Sequence, residues 1–373
     1  MKKLKKIINK MKECMDKKSY KPIIFNLKKI EHKNKVTKLI AKKQVVNIID
    51  EIDEQVKELY LLRNPEILGG AKATHKKKYI ITDEYGLWVF YPWKSSLVHI
   101  LNKKDFRDLR ISRNKNLITE VEQQSLEKCK LGIVGMNVGN SAALCMALEG
   151  VGLNVKFADL DHLSVSNMNR FNGSLTDLGI SKVILSARQV SEINPFVKVS
   201  CFNNGITPKN IEAFILKPKV DIIIEEMDNL PLKIEVRKYA KKYKVPVIMV
   251  TGNGPNLILD VERYDIDKNL QILNGTLPDD VVSRIFNEAI SYSPRQKAFL
   301  ARDFIGKKYV IKKLNESFDQ FGISLAGIPQ LAEATFLRGA LLSYCVRQIC
   351  LKKGINSGRY KFSMEDVLLK SIN

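Results

Sequence analysis

Short apolar runs alternate with helical stretches from Lys130 onward: KLGIVG, NVKFADLD, VKVSCFN, VDIIIEEM and VPVIMV. That alternation predicts a mostly parallel sheet with helices on both faces, an α/β Rossmann-like architecture. The near-continuous VDIII suits a strand covered on both sides. LILDVERYD, after Pro255, reads as a further and antiparallel strand, and residues 266–373 read as mostly helical, with the amphipathic LAEATFLRGALLSYCVRQICLKK after a break at Gly327–Pro329.

Ahead of this region, residues 1–60 show helical spacing. Val45, Ile48, Ile49, Ile52, Val56 and Leu59 fall on one face of a single expected amphipathic helix, ended by the glycines of ILGGAK. YIITDEYGLWVFYPW (79–93) then reads as a hairpin, with Trp88, Tyr91 and Trp93 as packing residues. The expected organisation is a basic accessory region over 1–105, an α/β domain over 106–265, and a helical region over 266–373 that completes the domain.

The chain of 373 residues carries a formal net charge of +22, and residues 1–50 hold 16 basic against 4 acidic side chains. Such a face suits RNA phosphates, an anionic membrane surface, an acidic partner, or solvent alone. Six cysteines are scattered without a C-x-x-C pair, so no structural zinc is expected, and Cys345 and Cys350 read as helix-face core residues. Lys10 and Lys12 interrupt the apolar residues of the amino terminus before a signal-peptide core forms, which points to a reducing cytoplasm. The uncharged run Leu131–Leu148 is broken by glycines and asparagines and reads as strand, turn and helix, not as a transmembrane segment.

Between the first strand and its helix stands GMNVGN (135–140), a turn whose unpaired N–H groups would face an anion. Gly135 and Gly139 are present, but Asn137 and Asn140 occupy places where a dinucleotide fingerprint has glycine. Asp159 follows Gly135 at the separation at which an acid reaches a ribose. Asp161, Asn167 and Arg170 come next, and GISK places Lys182 at the start of a helix. Two cations beside a phosphate-facing turn suit a triphosphate and its departing pyrophosphate, which hydride transfer would leave unexplained. Asp228, in EEMDN after the fourth strand, is the candidate Mg²⁺ ligand.

Taken together, RNKNLITEVEQQSL, D-x-D-x(5)-N-x-x-R at 159–170, G-x-x-K at 179–182, INP at 193–195 and MDN at 227–229 resemble the ThiF/MoeB/HesA family, bacterial relatives of ubiquitin-activating enzymes, over about residues 107–265. The longer context resembles a bacterial subgroup with an additional amino-terminal region. The resemblance implies an adenylyltransferase using ATP and Mg²⁺, with Asp159 on ribose, Arg170 and Lys182 on phosphates and Asp228 on the metal. It further implies Arg113 as a cation reaching the neighbouring subunit of a homodimer. The implied substrate is the carboxyl terminus of a ubiquitin-like or sulfur-carrier protein, with a carboxylate on modified tRNA or a peptide as alternatives. A nucleotide-binding scaffold without turnover is the rival reading, favoured by the altered glycine turn. No cysteine lies between Cys201 and Cys345, the interval of the thioester-forming nucleophile in relatives, so no thioester is expected.

Overall fold

A computed structural model of the protein describes residues 19–70, 82–288 and 290–368. Two compact units divide the chain, Met1–Glu120 with Ala187–Val197, and Val121–Ser186 with Lys198–Asn373. Cys14 and the first helically spaced residues lie outside the described residues.

The first unit holds a four-stranded sheet of β1 (Ile23–Phe25), β2 (Asn47–Asp50), β3 (Leu87–Tyr91) and β4 (Ser96–Ile100) in the order β1-β3-β4-β2. Helices α1 (Ile30–Ala41), α2 (Ile52–Arg63) and α3 (Lys103–Arg110) accompany it. The single helix expected across Val45–Leu59 is corrected here: NIID forms β2, paired in parallel with β4, and the helix begins only at Ile52. Adjacent β-branched residues favour the extended backbone, and Ile48 and Ile49 remain exposed while Ile52, Val56 and Leu59 are buried. The expected hairpin shifts as well. Its described strand, β3, pairs with β4 across the turn Pro92–Lys94, and residues 79–81 lie outside the described residues. Trp88 is buried and stacks on His99, as its packing role requires.

The second unit is a seven-stranded sheet in the order β11-β10-β9-β8-β5-β6-β7. Strands β5 (Lys130–Val134), β6 (Asn154–Ala158), β7 (Lys198–Phe202), β8 (Ile222–Glu225) and β9 (Val247–Asn253) run parallel, and β10 (Asn256–Glu262) is antiparallel to β9. The α/β expectation therefore holds strand by strand. The mostly helical reading of the carboxyl-terminal region is corrected at one place: β11 (Gly358–Phe362) adds an antiparallel edge beside β10. Its GRYKF alternates weakly between polar and apolar positions, so its pairing is settled by the neighbouring strand.

Helix α4 (Glu120–Lys128) leads into β5, and crossovers are made by α5 (Met136–Glu149), α6 (Lys182–Ile193), α7 (Ile211–Leu216) and α8 (Leu230–Lys242). Beyond the sheet follow α9 (Asp279–Asn287), α10 (Pro294–Ile305), α11 (Lys312–Gln320) and α12 (Ala332–Cys350). Helix α12 packs on α5 and β9. The backbones come close because Gly339 faces Ser141; a Cβ at 339 would lie 2.7 Å from Ser141. Cys345 is buried on α12 as expected, but Cys350 is bonded to Cys129. The two residues stand 221 positions apart and meet only in the fold, so the pairing corrects the reading of Cys350 as a helix-face core residue. No helix among the described residues is long and apolar enough to cross a membrane.

Beneath the end of β8 lies a buried ionic cluster. Arg237 donates to Glu225 at 2.6 Å and to Glu262 at 2.7 Å, with all three side chains fully buried. Lys233 adds a 3.0 Å bond to Glu225, and Tyr264 and the Leu273 amide donate to Glu262. Burial works against the charge of Glu225, but Lys233 and Arg237 outweigh it and hold its carboxyl below the usual range. The cluster ties β8, α8 and β10 together, and losing one partner exposes the others to an uncompensated buried charge. Arg237→Met is expected to destabilise the protein by about 3–5 kcal/mol, read as a fall in the urea midpoint; a loss below about 1 kcal/mol would show that the cluster is solvated.

Candidate nucleotide site

Strand β5 is followed by β6 on one side of the sheet and has β8 on the other, so the carboxyl ends of β5 and β8 form the switch point where ligands bind in doubly wound sheets. Gly135 closes this end of β5 with φ +87°, and a Cβ there would stand 2.3 Å from the carbonyl oxygen of Glu226. The turn after β5 thus lies directly on the turn after β8. At Gly139 a Cβ would meet Ile133 at 2.5 Å, which fixes the close packing of α5 on β5. Asn137 takes a different part from the glycine it replaces. With its amide oxygen turned toward Arg170, it accepts from Nε at 2.8 Å and Nη2 at 3.2 Å. Asn140 is buried and donates to Ser186 at 2.9 Å, joining α5 to α6.

The carboxylate of Asp159, at the end of β6, accepts from the Met136 amide at 2.6 Å and the Asp161 amide at 2.8 Å. Burial raises its carboxyl above the ordinary range, although these amides and Lys182 oppose the shift. Lys182 is itself buried at the start of α6, and its Nζ stands 3.0 Å from Asp161. Arg170 is half-buried, with Nη1 on the Ser166 carbonyl and the Asn169 side chain, both at 2.8 Å. Asn167 caps the preceding turn by accepting from Ser164. Asp228 is exposed just before α8, whose amino end is capped by Asn229. Arg170 and Asp228 interact electrostatically: burial lowers the guanidinium's affinity for its proton and Asp228 raises it. Arg113 belongs to the first unit, in a turn of 3₁₀ helix, Ser112–Asn114.

A cavity of about 220 Å³ opens beside this constellation, lined by Asn137, Asp228 and Thr251 and by residues of α10, α11 and α12. Asn253 positions those helices, donating to the Tyr309 carbonyl and accepting from the Ile311 amide, each at 2.9 Å.

Residues 111–255 match the model of the ThiF family. The chain carries a ThiF-family domain. Among curated relatives, the uncharacterized protein MT1398 of Mycobacterium tuberculosis (strain CDC 1551 / Oshkosh) is 29% identical over 326 residues, 87% of this chain and 42% of that protein. The tRNA threonylcarbamoyladenosine dehydratase of Escherichia coli (strain K12) is 28% identical over 145 residues, 38% of this chain and 53% of that protein. The chain thus spans about half the length of these relatives. A crystal structure of the E. coli dehydratase, TcdA, aligns at 18% identity and a TM-score of 0.46, covering 66% of this chain and 95% of that one.

Within the ThiF domain lie the Gly135 turn, Asp159, Arg170, Lys182 and Asp228. Two residues on the cavity were not read from the sequence: Glu226, inside the same domain, and Arg338, beyond it on α12. Glu226 was hidden as part of the run EEMDN, and Arg338 as one polar residue in an amphipathic helix. A lone arginine on the otherwise apolar stripe beside Gly339 was the available signal for the second.

Glu226 accepts from the Val250 amide at 2.7 Å. Desolvation by the surrounding protein pushes its carboxyl up to about 7, against the attraction of Arg338 and Lys233, while Glu225 adds to the rise. The folded state therefore binds this proton more tightly than the unfolded chain does. Its contribution to stability is complete below the unfolded value near 4.5 and is lost as pH rises through about 7. Glu226→Gln cannot ionise, so relative to wild type it should gain up to about 3 kcal/mol across that window, measured by urea unfolding at several pH values. A difference that stays constant with pH would mean that Glu226 is ionised throughout.

Proposed function

We propose that this chain is an ATP-dependent adenylyltransferase that activates a carboxylate. A substrate carboxylate oxygen forms a bond to the α-phosphorus of ATP, the bond from that phosphorus to the bridging oxygen breaks, and its electron pair leaves with pyrophosphate. A carboxylate is already ionised at neutral pH, so the step requires no general base. The observation that carries this reading is the contact of Gly135 with the Glu226 carbonyl, which sets the turn after β5 against the turn that leads to Asp228.

In this reading Arg170 and Lys182 meet the growing charge on the phosphates, and both are fixed beforehand, by Asn137 and by Asp161. Asp159, Asp161 and Asn167 hold the nucleotide-facing loop in shape, and Asp159 is the acceptor for ribose hydroxyls. The polar grip of Asn137 on Arg170 gives the altered glycine turn a constructive role, which favours turnover over a scaffold. Among the described residues no group of three His, Cys, Asp or Glu side chains is placed to hold a metal. One carboxylate nevertheless fits Mg²⁺, which takes one or two carboxylates together with substrate phosphates, and Asp228 would be that ligand. When bound, the ion would neutralise and align the phosphates.

The family resemblance favours the carboxyl terminus of a ubiquitin-like or sulfur-carrier protein as substrate. A carboxylate on modified tRNA is the second reading, supported by the name of the E. coli relative and by the net charge of +22. Exchange of radiolabelled pyrophosphate into ATP, with carrier proteins or tRNA supplied, tests both. Asp228→Ala should lower exchange by about 100-fold or more, whereas Asp159→Ala should mainly weaken ATP binding. ATP binding without exchange for any supplied carboxylate, and near wild-type behaviour of Asp228→Ala, would favour the scaffold.

Arg113 extends the proposal to assembly. An arginine that forks onto phosphate from a neighbouring copy makes the site composite and the protein a homodimer. Mixing equal amounts of inactive Arg113→Ala and inactive Asp228→Ala should then restore about a quarter of wild-type exchange. No recovery, in a dimeric preparation shown to exchange subunits, would remove Arg113 from the partner's site.

A further inference from the structure

The cavity beyond Asp228 is apolar along one side, where Ala301, Phe304, Ile305, Leu314, Phe318 and Ile328 face it. Arg338 also lines it and is only 6% exposed. Its Nη2 donates to Thr335 at 3.0 Å and to Gln330 at 3.4 Å, but Nε finds no hydrogen-bond partner among the described residues. The guanidinium lies over the backbone at Gly252, where a Cβ would come within 3.3 Å of Cζ. Burial disfavours its charge, Arg170 adds to the cost, and Glu226 and Asp228 oppose it, so the group stands within electrostatic reach of the nucleotide end of the site. A buried cation that lines a cavity and keeps one N–H without a partner is built to receive an anion. The volume of about 220 Å³ falls below the roughly 300–1,000 Å³ of pockets for drug-sized ligands and suits one terminal residue.

We propose that this cavity is the acyl-substrate subsite: Arg338 receives the carboxylate, and the apolar wall selects a substrate whose terminal residue carries a bulky aliphatic side chain. The proposal rests on the adenylation reading for the fate of the bound carboxylate, but its binding test does not need ATP.

Calorimetric titration of the full chain uses N-acetyl-glycyl-leucine, its carboxyl-terminal amide and N-acetyl-glycyl-glycine, with Mg-ATP titrated separately. The leucine acid should bind about tenfold tighter than either of the other two. Arg338→Gln should reduce the preference for acid over amide to within about twofold while leaving Mg-ATP affinity unchanged within the same factor. Ala301→Leu fills the apolar side without touching Arg338 and should weaken the leucine acid alone, which keeps the test decisive if Arg338→Gln fails to fold. Equal binding of acid and amide, no saturable binding of the leucine acid in the millimolar range, or a glycine acid that binds as well as the leucine acid would each overturn the proposal. Carboxylate selectivity without any ATP binding would instead sink the adenylation reading and leave the subsite standing.

Discussion

The approach of Gly135 to the Glu226 carbonyl is the constraint around which the site is arranged. A side chain at 135 would place its Cβ 2.3 Å from that oxygen, so the two turns lie together only because the first has none. The contact is made at the point where strand order reverses, and the helices that follow β5 and β8 both start from it. Asp159 reinforces the turn by accepting from the Met136 amide, and Asn137 extends it outward to Arg170. The turn after β5, the acid after β6 and the acid after β8 are therefore held by one small steric fact and a few hydrogen bonds.

Glu225 and Glu226 show how finely the end of β8 is divided. Successive residues of a strand point to opposite faces. Glu225 points into the ionic cluster, where Lys233 and Arg237 keep it charged despite full burial. Glu226 faces the cavity, where its main partners are the Val250 amide and a more distant Arg338, and burial prevails to raise its carboxyl to about 7. Two identical side chains thus play different parts, one as a fixed counter-ion in the scaffold and the other as a titrating group beside the site.

The helices beyond the matched domain give the cavity its outer boundary. Asn253 pins the segment that leads into α11, and Gly339 lets α12 lie close enough on α5 for Arg338 to reach the cavity. Residues separated by more than a hundred positions from the glycine turn therefore share its chemistry. The family match ends at residue 255, before Arg338 and Gly339 but after Asn253.

Much of the second unit was legible because a buried parallel strand leaves a compact apolar run, and β5 to β10 were all found by that pattern. The acids and cations at strand ends were legible for a related reason: polar residues at fixed offsets from such runs have no place in a core. The amino-terminal unit was read less well, since VVNIID satisfies both helical and extended spacing, and only its pairing with β4 decides between them. β11 escaped because an edge strand of mixed polarity is defined by its neighbour. Periodicity, being local, set the elements, their order and the candidate site residues. The meeting of Cys129 with Cys350, the opposite fates of Glu225 and Glu226, and the delivery of Arg338 to the cavity depend on distances between segments remote in the chain. Such distances are set by packing, which is why only the tertiary structure decided them.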